Sequence, residues 1–220
     1  MARRLQQVTD GVWSGPTVPG PWLNLVVVDD VVVDSGLRWS RGRVAELLRG
    51  RELSGHVVTH AHADHLGSTA WLCRSLGLPL QMGAPDADRY EGGRIDTVQS
   101  RVGRLLARAA EPERARVDRR LREGDEVGSF RVLDTPGHSP GAIALWRESD
   151  RVLVLGDNPV SVARDATSPR FVHLPASLHH DPEQVRRTRR RLAELEPALV
   201  VPVHGHPVRH PEAWRRALDR

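Results

Sequence analysis

A chain of 220 residues, 39% of them hydrophobic, is long enough for one α/β domain with a sizeable core and short for two full domains. The 32 basic residues are all arginine, the net charge is only +4, and the single cysteine excludes an intramolecular disulfide. So small an excess argues for a solvated surface rather than a nucleic-acid grip, and no apolar run approaches the ~20 residues that span a bilayer.

Met1–Gln7 carries two arginines with no apolar stretch behind them, so the expected location is the cytoplasm. Two valine-rich runs follow, Leu23–Val28 and Val31–Gly36. Short, uninterrupted, β-branched runs of this kind suit buried strands, and Asp29-Asp30 between them reads as a tight hairpin turn. A helix is expected over Ser40–Arg49 and a strand over Gly55–Thr59. Ala70–Leu78 reads as a helix that buries Cys73 as a small hydrophobe, and Pro79–Met82 as a short strand. In Arg94–Ala110 the residues Ile95, Val98, Val102, Leu105, Leu106 and Ala109 share one helical face. Pro112–Leu121 is charged and expected to be exposed.

The second half returns to strands, at Phe130–Asp134 and in a hairpin of Ala142–Trp146 with Arg151–Leu155. Asp181-Pro182 supplies an N-cap and a proline at the first helical position. The helix it opens ends before Pro197 and presents the run Arg186–Arg191 to solvent. Ala198–Val203 is a final strand and Pro211–Leu218 a closing helix. No Pro/Gly/Ser-rich linker, repeat or low-complexity tract intervenes, so residues 1–220 are expected to form one domain.

The chemistry concentrates at strand ends. His60-Ala61-His62-Ala63-Asp64-His65 follows a strand directly. Histidine is the commonest protein ligand for zinc-like metals, and carboxylates complete such sites. His60 and His62 can point the same way because side chains of an extended segment repeat every two residues, while Asp64 and His65 begin a helix. Asp134-Thr135-Pro136-Gly137-His138-Ser139-Pro140-Gly141 holds one histidine in a rigid loop after a strand. Val154-Leu155-Gly156-Asp157 ends a strand in a carboxylate with two oxygens, and Val201-Pro202-Val203-His204-Gly205-His206-Pro207 runs another strand into a histidine loop. Ligands on four separate strand ends are how a site at one sheet edge is assembled.

This set resembles the metallo-β-lactamase-like superfamily, whose H-x-H-x-D-H motif stands here as His60 to His65 and whose later ligands stand as His138, Asp157 and His204. The resemblance runs from the valine strands to Pro207. It implies an α/β fold of the α+β type, a four-layer αββα sandwich with metals at one edge between two sheets. It also implies two divalent metal ions, one on His60, His62 and His138 and one on Asp64, His65 and His204, with Asp157 between them. Zinc is the expected metal; iron or manganese also accept these ligands. Two such cations lower the pKa of a shared water to about 7. The implied activity is hydrolysis of an ester, thioester or lactone of a small molecule by metal-bound hydroxide, with Asp64 also orienting the nucleophile and carrying its proton.

Thr135–Gly141 resembles the branch that holds glyoxalase II, thioester hydrolases, lactonases and persulfide dioxygenases. Glyoxalase II carries a C-terminal helical region for glutathione, whereas one short helix follows His204 here, which argues against a glutathione thioester. The alternatives are a mononuclear-iron persulfide dioxygenase on His60, His62 and His138, and β-lactam or nucleic-acid hydrolysis. The last would need a stacking surface that the sequence does not display. Ser161–His180 is the segment expected to frame a pocket, with Phe171, His173, Leu174, Leu178, His179 and His180 as candidate lining. His206 is a candidate partner for the second ring nitrogen of a ligand histidine. His56, inside a strand, is expected to be structural and His210 exposed. Trp13 and Trp22 flank Gly15–Gly20, a candidate loop to overhang the site, and core or surface packing is the expected role of both. The oligomeric state is open.

Overall fold

The computed structural model describes residues 4–20, 22–93, 112–161, 171–209 and 211–218. The expected helix at 94–110, the position of His210 and the middle of the 161–180 segment lie outside the described residues.

In chain order the elements are β1 (Gln6–Thr9), β2 (Val12–Pro16), β3 (Asn24–Val28), β4 (Val31–Val33), α1 (Arg41–Leu48), β5 (Gly55–Val58), α2 (Ala63–Leu66), α3 (Thr69–Leu76), β6 (Leu80–Gly83), α4 (Ala84–Glu91), β7 (Arg119–Leu121), β8 (Glu126–Val127), β9 (Phe130–Asp134), β10 (Ile143–Arg147), β11 (Val152–Leu155), β12 (Val160–Ser161), β13 (Phe171–Val172), α5 (Pro182–Ala193), β14 (Leu199–Pro202) and α6 (Pro211–Leu218). Strands β1 to β7 form one sheet in sequence order, antiparallel up to β4 and parallel from β4 onward. A second sheet runs β14-β11-β10-β9-β8, with β14 parallel to β11.

The period of two along each strand builds the layers. Val26, Val28, Val33 and Val57 of the first sheet meet Val132, Ile143, Leu145, Val154 and Val201 of the second in one buried cluster. The alternate residues point outward. Leu25, Val27 and Val32 pack under Val44, Leu47, Leu48 and Leu72 of α1 and α3. Ala144, Trp146, Leu153 and Val200 pack under Leu192 of α5 and Trp214 and Leu218 of α6. The order is helices, sheet, sheet, helices: the αββα sandwich. Because both faces of each sheet are covered, the strands read as continuous apolar runs rather than alternating ones.

Four expectations need correction. The second valine strand stops at Val33, because Asp34 takes a left-handed φ of 57° and turns the chain out of the sheet. Pro112–Leu121 is not simply exposed, since Arg119–Leu121 is the edge strand β7 and Val117 and Leu121 are buried. Cys73 is half-buried against the cluster of Val58, Leu66 and Tyr90 rather than enclosed in it. In the arginine run, Arg189 turns inward and donates from Nε to Asn158 Oδ1 at 2.8 Å. The cap on α5 is as expected, with the Asp181 side chain accepting from the N–H groups of Glu183 and Gln184. Among the described residues no helix is long and apolar enough to cross a membrane.

His56 is buried on β5, with Nδ1 3.0 Å from the Val32 carbonyl and Nε2 2.9 Å from Thr69 Oγ1. Burial pushes its pKa down to about 4, from an ordinary 6.5. Between these values the unfolded chain holds a proton that the folded chain refuses, so this group costs stability as the pH falls from 6.5 to 4, on the order of 3 kcal/mol in all. The stability difference between wild type and His56→Gln, measured by denaturant unfolding, is expected to be flat above pH 6.5 and to shrink below it. A constant difference from pH 7.5 to pH 5 would contradict this account.

Candidate metal centre

Seven side chains from both sheets meet at one edge of the sandwich. Strand β5 delivers the turn of His60 and His62 and then α2, which carries Asp64 and His65; Asp157 lies two residues beyond β11 and His204 two beyond β14. His138 sits on the β9–β10 loop. Ligand atoms of His60, His62, His138 and Asp157 lie within 4.8 Å of one another, as do those of Asp64, His65, Asp157 and His204.

Within the first group His62 Nδ1 is 2.9 Å from Nε2 of both His60 and His138, and Asp157 Oδ2 is 3.4 Å from His138 Nε2 and 3.8 Å from His60 Nε2. Within the second, Asp157 Oδ1 is 3.1 Å from His65 Nε2 and 3.2 Å from His204 Nε2, and Asp64 Oδ2 is 3.4 Å from His204 Nε2 and 3.7 Å from His65 Nε2. The two oxygens of Asp157 therefore face different groups.

Two buried carboxylates outside these groups hold them in place. Asp34 accepts from the Thr59 N–H at 2.7 Å, from Thr59 Oγ1 at 2.8 Å and from His65 Nδ1 at 2.7 Å. That fixes the His65 ring with Nε2 toward Asp157. Asp86, near the start of α4, accepts from the Ala61 N–H at 2.8 Å, Ser139 Oγ at 2.6 Å and the Gly141 N–H at 2.7 Å, so one side chain ties the His60–His62 turn to the His138 loop. The same loop touches β6 where two glycines meet; a Cβ on Gly83 would lie 2.1 Å from the Gly141 carbonyl. His204 Nδ1 is 2.5 Å from the Trp22 carbonyl, and Thr59 Oγ1 is 3.1 Å from His60 Nδ1.

The electrostatics divide the site. Burial, reinforced by the neighbouring histidines, pushes His60 well below the ordinary imidazole range and His62 down to about 3, so these rings stay neutral. In the second group burial opposes ionisation and loses. The Asp157 and Asp64 carboxylates lift His204 to about 10, and Asp157 and Asp34 lead in lifting His65 well above its ordinary range. In return the His65 charge holds Asp157 far below the carboxylate range and Asp64 at about 2. Protons here do what cations would do, and metal binding would displace them. The residues fit such ions. Five imidazoles and two carboxylates are the donor types of a zinc-like site. Asp157 is buried with each oxygen turned toward imidazole nitrogens of a different group, and neutral rings that aim their nitrogens at one another call for a cation among them.

Fold and donor set together define a metal-binding enzyme of the αββα class. Residues 25–206 match the Metallo-beta-lactamase superfamily. The probable metallo-hydrolase YflN of Bacillus subtilis (strain 168) is 26% identical over 201 residues, spanning 81% of this chain and 76% of that protein. A hydroxyacylglutathione hydrolase of Methylococcus capsulatus is 33% identical over 123 residues, which span 53% of this chain but 38% of that protein. Among solved structures, TTHA1623 in a di-iron-bound form aligns with a TM-score of 0.65 and 27% identity, over 92% of this chain and 96% of that one. The chain belongs to the metallo-beta-lactamase superfamily and is a metallohydrolase of that fold.

Of the other candidates, Phe171 leaves the site and packs edge-on against Trp214 at 5.7 Å. His206 is not the partner of His204, because the Trp22 carbonyl takes that place. Trp22 itself is 59% exposed beside His204, whereas Trp13 lies under Arg51 on the far side of the sheet from the core. Leu178 and His180 are exposed, His173 and Leu174 half-buried, and His179 is buried against His138. Sequence reasoning missed Asp34 and Asp86. An acid ending a buried valine strand was a usable signal for Asp34; Asp86 had none.

Proposed function

We propose that this metallohydrolase cleaves a small-molecule ester, thioester or lactone at a dinuclear centre. The observation that carries the reading is the division of Asp157, with Oδ2 toward His60 and His138 and Oδ1 toward His65 and His204. In this reading His60, His62 and His138 would hold one divalent cation and Asp64, His65 and His204 the other, with Asp157 offering one oxygen to each. When bound, such a pair lowers the pKa of a water to about 7 and polarises the attacked oxygen.

The chain's own groups do the rest. The neutral His60 and His62 offer lone pairs with no proton to remove. Asp64 is ionised at neutral pH and 36% exposed at the mouth of the site, placed to accept a hydrogen bond from the attacking water and pass its proton to solvent. Zinc is the proposed metal, and the likeness to a di-iron-bound structure adds iron to the metals worth testing. The likeness to hydroxyacylglutathione hydrolases favours thioesters as the first substrate class to assay. The proposed location is the cytoplasm, since the chain has one cysteine and can form no internal disulfide.

A panel of thioesters and lactones assayed with zinc-loaded protein is expected to show hydrolysis that falls in Asp64→Ala by on the order of 10²–10⁴. Undiminished hydrolysis in Asp64→Ala at full metal content would remove Asp64 from the mechanism.

A further inference from the structure

We propose that His179 is a positioning residue: its Nδ1 accepts a hydrogen bond from the N–H at His138 Nδ1 and so locks the tautomer in which the Nε2 lone pair of His138 faces the first metal position. The inference rests on the reading of His138 as a metal ligand.

The two ring nitrogens of His138 have different surroundings. Nε2 lies inside the first group, 2.9 Å from His62 Nδ1 and 3.4 Å from Asp157 Oδ2. Nδ1 lies 3.1 Å from His179 Nδ1. A neutral imidazole carries one proton, and a nitrogen that offers its lone pair to a cation cannot hold it. The proton of His138 therefore belongs on Nδ1. His179 must then present a bare Nδ1 and keep its own proton on Nε2. The rings stand nearly perpendicular, at 84° with centroids 5.3 Å apart, which is an edge approach suited to an N–H···N bond rather than a stacked one.

The backbone fixes this arrangement. The His180 N–H donates to the His138 carbonyl at 3.2 Å and the Asp181 N–H to the Gly137 carbonyl at 2.9 Å, while Asp181 caps α5. The segment 179–181 is thus laced to the His138 loop, with His179 only 2% exposed. The backbone of Leu174 also lies against the His179 ring. The contrast with His65 is informative. There the partner is the carboxylate of Asp34, which adds negative charge; His138 is oriented by a neutral ring.

The test is a calorimetric titration of zinc into the metal-free protein, for wild type, His179→Leu and His179→Asn. The expected result is two ions in wild type, with one of them bound 10–100-fold more weakly in His179→Leu and the other unchanged. His179→Asn, whose Oδ1 can accept in place of Nδ1, is expected to recover most of the loss. Wild-type affinity for both ions in His179→Leu, or an equal loss in His179→Asn, would overturn the proposal. No zinc bound by wild type would instead overturn the metal reading itself. Nitrogen-15 spectra of zinc-loaded wild type give a readout that needs no variant. A through-bond coupling between the two Nδ1 atoms, with the proton on His138, is expected; a proton on His138 Nε2 would refute the assignment.

Discussion

Asp157→Ala is expected to release both cations and lower kcat/KM by more than about a thousandfold, some 4 kcal/mol of barrier. The size of the effect follows from position. Each oxygen of Asp157 faces a different donor group, so one substitution removes a ligand from both. It also strips the principal counter-charge from His65 and His204, whose protonated forms depend on it in the metal-free protein. Removing one partner of a buried ionic cluster costs about 3–5 kcal/mol, so the metal-free variant should unfold at lower denaturant than metal-free wild type. Metal content, steady-state rates and a denaturant curve on the same preparations check all three. A variant that retains two ions per chain would show that Asp157 is not the bridge.

Asp34→Ala is expected to weaken the second metal position 10–100-fold and to destabilise the fold by about 3–5 kcal/mol. Asp34 is fully buried and accepts three hydrogen bonds, two from Thr59 and one from His65 Nδ1. Its loss leaves a buried backbone N–H unpartnered, strips His65 Nδ1 of its carboxylate, and frees the His65 ring to turn or change tautomer. Zinc titration and urea unfolding measure the two effects separately. Asp34→Ala and His179→Leu should weaken different ions, so the two titrations check each other. Wild-type zinc affinity in Asp34→Ala would detach Asp34 from the metal site.

Much of this was legible in the sequence, for a physical reason. Val26–Val28 and Val31–Val33 are doubly covered strands, which declare themselves as unbroken apolar runs. Asp181-Pro182 announced α5 because a cap is a local event. The edges were not legible. Gln6–Thr9, Arg119–Leu121 and Glu126–Val127 are short and polar, and each is a strand only because a neighbour pairs with it. The seven residues meeting at the sheet edge were readable because each stands in a compact motif at the end of a strand. The groups that hold them were less so, since their partners are remote, and only Asp34, an acid ending a valine run, left a local signal. Asp34 is 31 residues from His65, and Asp86 reaches 25 residues back to Ala61 and 55 forward to Gly141. His179 illustrates the same limit: 41 residues separate it from His138, and nothing local distinguishes it from a pocket-lining loop residue.

The most direct measurement is the metal content of wild-type protein purified from a metal-replete culture, by elemental analysis with a redox check on any iron. The dinuclear account predicts about two divalent ions per chain, falling below one in Asp157→Ala. A single iron per chain, unchanged by excess zinc or iron, would contradict it and make oxygen uptake the next assay.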